Sequence, residues 1–251
     1  MGLIKDFQDL GSVTKSALLQ RAVPQTKFYI FGTGRCGSTL LVGLLNCHRE
    51  ISCDPEILSA YSRVPKAALY KRVLHCPTAV YGFKLLLYHM SDVHRMRSPI
   101  RFLHWLDRQG FRIIYLRRQN RLQHAISLVV SAKRKILHQR QSDRTQELQP
   151  VHIDAKTVIE TIAKFEANYR AETTLLRQLP HLALEYENHL VDSQKHQSTA
   201  NLVFDYLDLK SEPVEAKLRK IMPLDLSQSI VNYQEVIAAV DRSEYAYLLA
   251  R

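Results

Sequence analysis

Arg35, Ser38 and Thr39 stand within five residues of one another, in Arg35-Cys36-Gly37-Ser38-Thr39, with Gly32 and Gly34 just ahead. A guanidinium, two hydroxyls and closely spaced glycines are the parts of an anion cradle. Glycine lets the backbone approach a charged oxygen, and the N–H groups at the start of a following helix point at it. The flanking pattern supplies that helix. Phe28-Tyr29-Ile30-Phe31 is an apolar, β-rich run, and Leu40, Leu41, Leu44 and Leu45 recur at helical spacing. Strand, glycine-rich turn and helix therefore follow one another. Gly32 and Gly37 have the spacing of the nucleotide loop G-x-x-x-x-G-K-[ST], but Ser38 stands where that loop carries its phosphate-reaching lysine. The cation here is earlier, at Arg35. Cys36 fills the loop, and nothing beside it marks a nucleophile. The bland alternative is a plain turn with Ser38 as helix cap; the cation and hydroxyls favour an anion site.

Two further sets of residues have chemical potential. Phe111 and Ile113–Leu116 read as a strand with Arg117 and Arg118 at its carboxyl end, and Leu122, Ile126, Val129 and Val130 continue as a helix. Ligands of open α/β sheets bind outside the carboxyl ends of strands. An arginine there can fork two N–H groups onto a phosphate. Ser127, nine residues beyond Arg118 (127 − 118 = 9), is placed to reach the same oxygens. The other set is Cys53-Asp54-Pro55-Glu56. Pro55 disfavours helix at Asp54, so Glu56 falls on a loop or a helix start. It is either a proton acceptor for a hydroxyl or a helix cap, with Asp54 in reserve. Lys84, in the apolar run Tyr81–Leu87, either faces this site or snorkels from a strand end.

The core Arg35-Cys36-Gly37-Ser38-Thr39-Leu40-Leu41 resembles the R-x-G-S-[ST]-x-L phosphosulfate loop of sulfotransferases that use 3′-phosphoadenosine-5′-phosphosulfate (PAPS). Leu116-Arg117-Arg118 followed by a helix and Ser127 resembles their 3′-phosphate motif. Its longer spacing, with Ala125-Ile126-Ser127 at its end, is similar to bacterial trehalose and lipid-linked oligosaccharide sulfotransferases. Tyr186-Glu187-Asn188-His189-Leu190 resembles the family's Y-E-D-L, and Asn232-Tyr233 a late N-W or N-Y segment; the family's R-K-G triplet is absent. The resemblance implies PAPS as donor, with PAP as product. Arg35, Cys36, Gly37, Ser38 and Thr39 would form the phosphosulfate cradle, with Arg35 neutralising charge during transfer. Arg118 and Ser127 would hold the 3′-phosphate. Glu56, 21 residues past Arg35 (56 − 35 = 21), would be the catalytic base, and Lys84 a sulfuryl contact. The acceptor implied is a hydroxyl of a carbohydrate or glycolipid.

The elements must bring these residues together. The expected fold is α/β, a P-loop-like three-layer domain with a mainly parallel sheet flanked by helices. Residues 1–26 read as an N-terminal arm and 27–251 as one domain, since no linker-like composition divides the chain. Helices are expected over 66–76 and 91–110, and a fourth strand over His181–Glu187. A long amphipathic helix runs from a cap at Asp154 to about Gln178, with Val158, Ile162, Phe165, Tyr169 and Leu176 on one stripe. The polar segment 132–153, with Lys133, Arg134, Lys135 and Arg140, is a candidate lid or acceptor loop.

A formal net charge of +11 over 251 residues implies attraction to anions without saying which. A nucleic-acid module would interleave a basic face with aromatics; here arginines gather at strand ends and helix starts. A small-molecule kinase is the other rival, weakened by the missing cradle lysine. Four scattered cysteines form no C-x-x-C pair, and no His/Cys/carboxylate group has ligand spacing, so neither a disulfide framework nor a metal is expected. No apolar run is long enough to span a bilayer, and the expected location is cytoplasmic or peripheral to a membrane surface. A homodimer is among the assemblies this allows.

Overall fold

The computed structural model describes residues 23–134, 149–216 and 226–250. Five strands form one sheet: β1 (Thr26–Gly32), β2 (Ile51–Asp54), β3 (Val80–Leu86), β4 (Phe111–Arg117) and β5 (His181–Glu185). Their order is β2-β3-β1-β4-β5 and every pairing is parallel. Parallel neighbours need crossovers, and helices supply them. These are α1 (Ser38–Leu45), α2 (Pro65–Leu74), α3 (Pro99–Arg108), α4 (Arg121–Arg134) and α5 (Ala155–Leu176). After β5 come α6 (Tyr186–His189), α7 (His196–Tyr206) and α8 (Tyr233–Asp241). The chain leaves β1 for the β2 edge, returns through β3, then crosses β1 to build β4 and β5. The carboxyl end of β1 is therefore where the direction of winding reverses, the place where such sheets leave a crevice.

Alternation along β1 divides the core. Phe28 and Ile30 face α1 and α7, packing with Leu41, Leu44, Val203 and Phe204. Tyr29 and Phe31 face the other side with Leu69 and Val73 of α2 and Phe102, Leu103 and Leu106 of α3. Both faces are covered, which is why the central strands read as unbroken apolar runs. Phe28 of β1 lies opposite Gly82 of β3. A Cβ there would stand 2.1 Å from the Phe28 ring, so the glycine makes room for the aromatic.

A third cluster joins α4, the first half of α5 and α8 through Ile126, Val130, Val158, Ile162, Phe165, Val236 and Val240. Asp154 caps α5 as expected, accepting from the Thr157 N–H at 2.9 Å. Asn232 ties the late segment in, accepting from Ile153 N–H at 3.1 Å and donating to its carbonyl at 2.9 Å. Two sequence boundaries shift. The helix expected over 91–110 is a π turn, His89–Val93, followed by α3, which begins at Pro99, a residue suited to a first helical position. The strand expected over His181–Glu187 is β5 and ends at Glu185, and Tyr186 opens α6. The expected arm, except its last residues, and most of the expected lid lie outside the described residues.

Candidate active site

The turn between β1 and α1 curls around its own backbone. Arg35 has φ 68° and Gly37 φ 86°, both left-handed. Gly37 is the N-cap of α1 and no side chain caps the helix. Ser38 is therefore the first helical residue and not the cap, and the cap glycine offers no side chain to the first-turn N–H groups. A Cβ on Gly37 would meet the Tyr186 ring at 2.6 Å, so the glycine also admits α6 against the turn.

Helices α4 and α5 clasp the turn from behind. The Thr33 hydroxyl donates to Glu172 Oε1 at 2.6 Å, and the Tyr115 hydroxyl donates to Oε2 at 3.0 Å. His124 Nε2 donates to the Gly34 carbonyl at 2.8 Å, which fixes the tautomer, and its ring stacks on Phe165. Burial, reinforced by the Arg118 charge, lowers the His124 pKa to about 3, so the ring is neutral. Burial raises that of Glu172. Within the turn the Cys36 thiol donates to the Thr33 carbonyl at 2.6 Å. Cys36 is thus the packed filler its neighbours suggested.

The Arg35 side chain leaves the turn towards α4, donating to Ser131 Oγ at 2.9 Å with Ser127 Oγ at 3.5 Å. Arg118 comes to the same place from the end of β4. Its guanidinium lies 4.3 Å from the Tyr186 ring centre and donates to Gln123 Oε1 at 3.1 Å. Its Nε is buried 3.4 Å from Glu187 Oε1 without a hydrogen bond. Burial and the nearby Arg118 charge lower the pKa of Arg35. Two guanidiniums and Ser127 thus converge beside the cradle, an arrangement that favours an anion between them. Arg118 also lines a small cleft with Thr33, Cys36, Arg117 and Glu172. Arg117 does something else. It pairs with Glu185, its register partner on β5, at 2.5 Å, and lies over Tyr169.

On the other side of the cradle, β2 and β3 bring up the carboxylate. Lys84 is 4 % exposed, and its Nζ donates to Thr39 Oγ1 at 3.0 Å and lies 2.7 Å from Glu56 Oε1. The lysine missing from the loop is in effect delivered from the neighbouring strand, and it is no snorkel. Glu56 Oε2 accepts from the Tyr88 hydroxyl at 2.6 Å and lies 3.4 Å from His89 Nε2. Since His89 Nδ1 accepts the Leu86 N–H, Nε2 carries the ring proton. Hydrogen bonds from His89, Lys84 and Tyr88 outweigh burial and hold the Glu56 carboxyl well below the usual carboxylate range. Glu56 caps no helix: α2 starts only at Pro65. Asp54 is engaged elsewhere, with the Tyr81 hydroxyl at 3.1 Å and Arg72 at 3.9 Å.

Arg35, Cys36, Gly37, Ser38, Thr39, Lys84, Glu56, Arg118 and Ser127 therefore gather around one strand end, and Asp54 does not join them. Sequence reading missed Tyr88, His89, His124 and Glu172, and marked Tyr186 and Glu187 only as part of a family-like segment, without a place in the site. Glu172 had a signal: it sits on the apolar stripe of α5, between Tyr169 and Leu176, where a carboxylate is out of place. Among the described residues no cluster of three or more His, Cys, Asp or Glu could hold a metal ion, and no helix is long and apolar enough to cross a membrane.

No protein-family model and no curated protein matches the chain. Among solved structures it is similar to a sulfotransferase from Alicyclobacillus acidocaldarius, with 14% sequence identity and a TM-score of 0.49, over 92% of this chain and 94% of that one.

Proposed function

We propose that this protein is a PAPS-dependent sulfotransferase acting on a hydroxyl of a carbohydrate or glycolipid. One observation carries the reading: Arg35 and Arg118, from separate strand–helix units, converge with Ser127 on one side of the cradle, while Lys84 joins the cradle hydroxyl Thr39 to the carboxylate Glu56 on the other. The first group fits a second phosphate apart from the one at the helix start. The second group fits charge transfer at that helix start. The sugar or glycolipid acceptor rests on the sequence resemblance to the bacterial carbohydrate enzymes, and a reducing cytoplasm on the four free thiols Cys36, Cys47, Cys53 and Cys76.

PAPS as donor substrate would supply an activated sulfuryl group. The Gly37–Thr39 backbone and hydroxyls hold the 5′ end and Lys84 balances its charge, while Arg35, turned to Ser131 and Ser127, contributes its charge from the 3′-phosphate side of the cradle. Arg118 and Ser127 hold the 3′-phosphate, with Tyr186 bracing the Arg118 plane. Glu56 takes the acceptor proton. Positioning and fixed charge carry most of the rate, as expected where little covalent chemistry is asked of the protein.

Calorimetric titration with PAP, ADP, ATP and an oligonucleotide tests this. PAP is expected to bind about 10–100-fold more tightly than ADP, the worth of a charged hydrogen-bond set on the 3′-phosphate. Equal binding of PAP and ADP would remove the 3′-phosphate site, and preference for ATP or the oligonucleotide would replace the reading.

A further inference from the structure

Glu56 is well placed to take a proton and badly disposed to do so. Its Oε1 is 2.7 Å from Lys84 Nζ, and its Oε2 faces Tyr88 at 2.6 Å and His89 at 3.4 Å. A carboxylate held by three donors is a stable anion and a weak base, since basicity tracks pKa. The donors are not alike. His89 is 0 % exposed and locked through Nδ1 to the Leu86 N–H, and Tyr88 faces Glu56 from the same short segment. Lys84 alone among them has a second partner on the cradle, Thr39 Oγ1 at 3.0 Å. Its stem is buried in β3, so its ammonium has those two directions and little freedom beyond them.

We propose that Lys84 is shared between donor and base: negative charge arriving in the cradle draws its ammonium from Glu56 towards Thr39, and Glu56 becomes an effective base only once the donor is in place. The inference rests on the sulfotransferase reading. In the transfer, the acceptor oxygen bonds to sulfur while the bond from sulfur to the donor's phosphate oxygen breaks. Its electron pair stays on PAP, and the acceptor's proton passes to Glu56. The shared lysine makes this sequence ordered, donor first. It also makes donor binding and Glu56 basicity reciprocal, as any coupling between two sites must be. The charged and titratable groups facing Glu56 are Lys84 from β3 and Tyr88 and His89 from the segment after it, so a change at one of three donors is a large fraction of its environment.

The test follows the Glu56 carboxyl by carbon NMR through a pH titration, with and without PAP, in the wild type and in Lys84→Met, a substitution close in shape. In the wild type PAP should raise the Glu56 pKa by more than about one unit, the size of losing a close opposite charge. In Lys84→Met the pKa should already be raised, and PAP should add little. An equal PAP-induced rise in both proteins would mean that PAP acts through its own charge, and no rise in the wild type would mean that Lys84 stays on Glu56; either overturns the proposal. Should Lys84→Met fold poorly, the Glu56 carboxyl signal of the wild type with and without PAP decides alone: a PAP-induced rise is expected, and none refutes it. Failure of PAP to bind at all would instead bring down the donor reading, and the shared lysine with it.

Discussion

Neighbouring arginines with the same side chain have different work here, and geometry separates them. Arg117 is spent on Glu185 across the sheet, whereas Arg118 is turned to the cradle with Tyr186 beneath it. Arg118→Ala is therefore expected to cost PAP about 1.5–3 kcal/mol of binding and to erase its advantage over ADP. Arg117→Ala should lower the thermal midpoint and leave the PAP-to-ADP ratio near that of the wild type. Parallel titrations and melts of the two variants check this; a lost ratio in Arg117→Ala would reverse the assignment. At Glu56 the expected outcome is kinetic. Glu56→Gln keeps the shape and removes the proton acceptor, so kcat should fall roughly a hundredfold or more. PAP affinity should hold or rise modestly as Lys84 is released. Turnover near normal would remove Glu56 from proton transfer, and Asp54, bound to Tyr81 and Arg72, offers no ready substitute.

Elements place these residues through a few contacts that admit no substitute. Gly82 lies under the Phe28 ring in the middle of the sheet. Gly82→Ala forces the ring aside in a packed layer and is expected to cost about 1–3 kcal/mol or more, seen as a midpoint several degrees lower. An unchanged midpoint would show that the ring moves freely. The central strands were legible in the sequence because burial on both faces leaves continuous apolar runs, as in Phe28–Phe31 and Ile113–Leu116, whereas the four-residue edge strand β2 was not anticipated. The cradle was legible because its glycines, hydroxyls and arginine are consecutive. What could not be read was anything assembled across long separations. Glu172 meets Thr33 139 positions away, and His124 reaches Gly34 across 90. No local pattern records such a meeting, although a carboxylate on the apolar stripe of α5 was a hint. Residue type and position alone do not distinguish two adjacent arginines at a strand end; the family resemblance pointed to Arg118, and the physical reason, Glu185 standing opposite Arg117, lies in the register of β5. The π turn at His89 was hidden because the helical pattern expected over 91–110 runs through its second half, yet it is this turn that presents Tyr88 and His89 to Glu56.

The molecule as a whole should lose stability in mild acid for a reason centred on His124. Its folded pKa of about 3 lies below the ordinary histidine value near 6.5. Between those values the unfolded chain binds a proton that the native ring refuses, so stability falls as pH drops from about 6.5 towards 3, at up to about 1.4 kcal/mol per pH unit from this group. Glu56, whose folded pKa is depressed, adds to the loss as pH falls below the ordinary carboxylate range; Glu172, whose pKa is raised, works the other way. Denaturant melts across pH 7 to 4 should show a shallower decline in His124→Gln than in the wild type, and parallel curves would exclude His124 as the source. The thiol inside the cradle turns the same burial into a clock. Cys36 is 1 % exposed, its pKa is pushed up to about 12, and its Sγ–H is tied to Thr33. A thiol-specific reagent at neutral pH can reach it only when the turn opens, so its labelling rate reports how often the cradle unlocks, while the half-buried Cys47 supplies the comparison. Mass-resolved labelling should show Cys36 lagging far behind Cys47 and slowing further as PAP is added, and equal rates at both sites would mean that the cradle is open for much of its time.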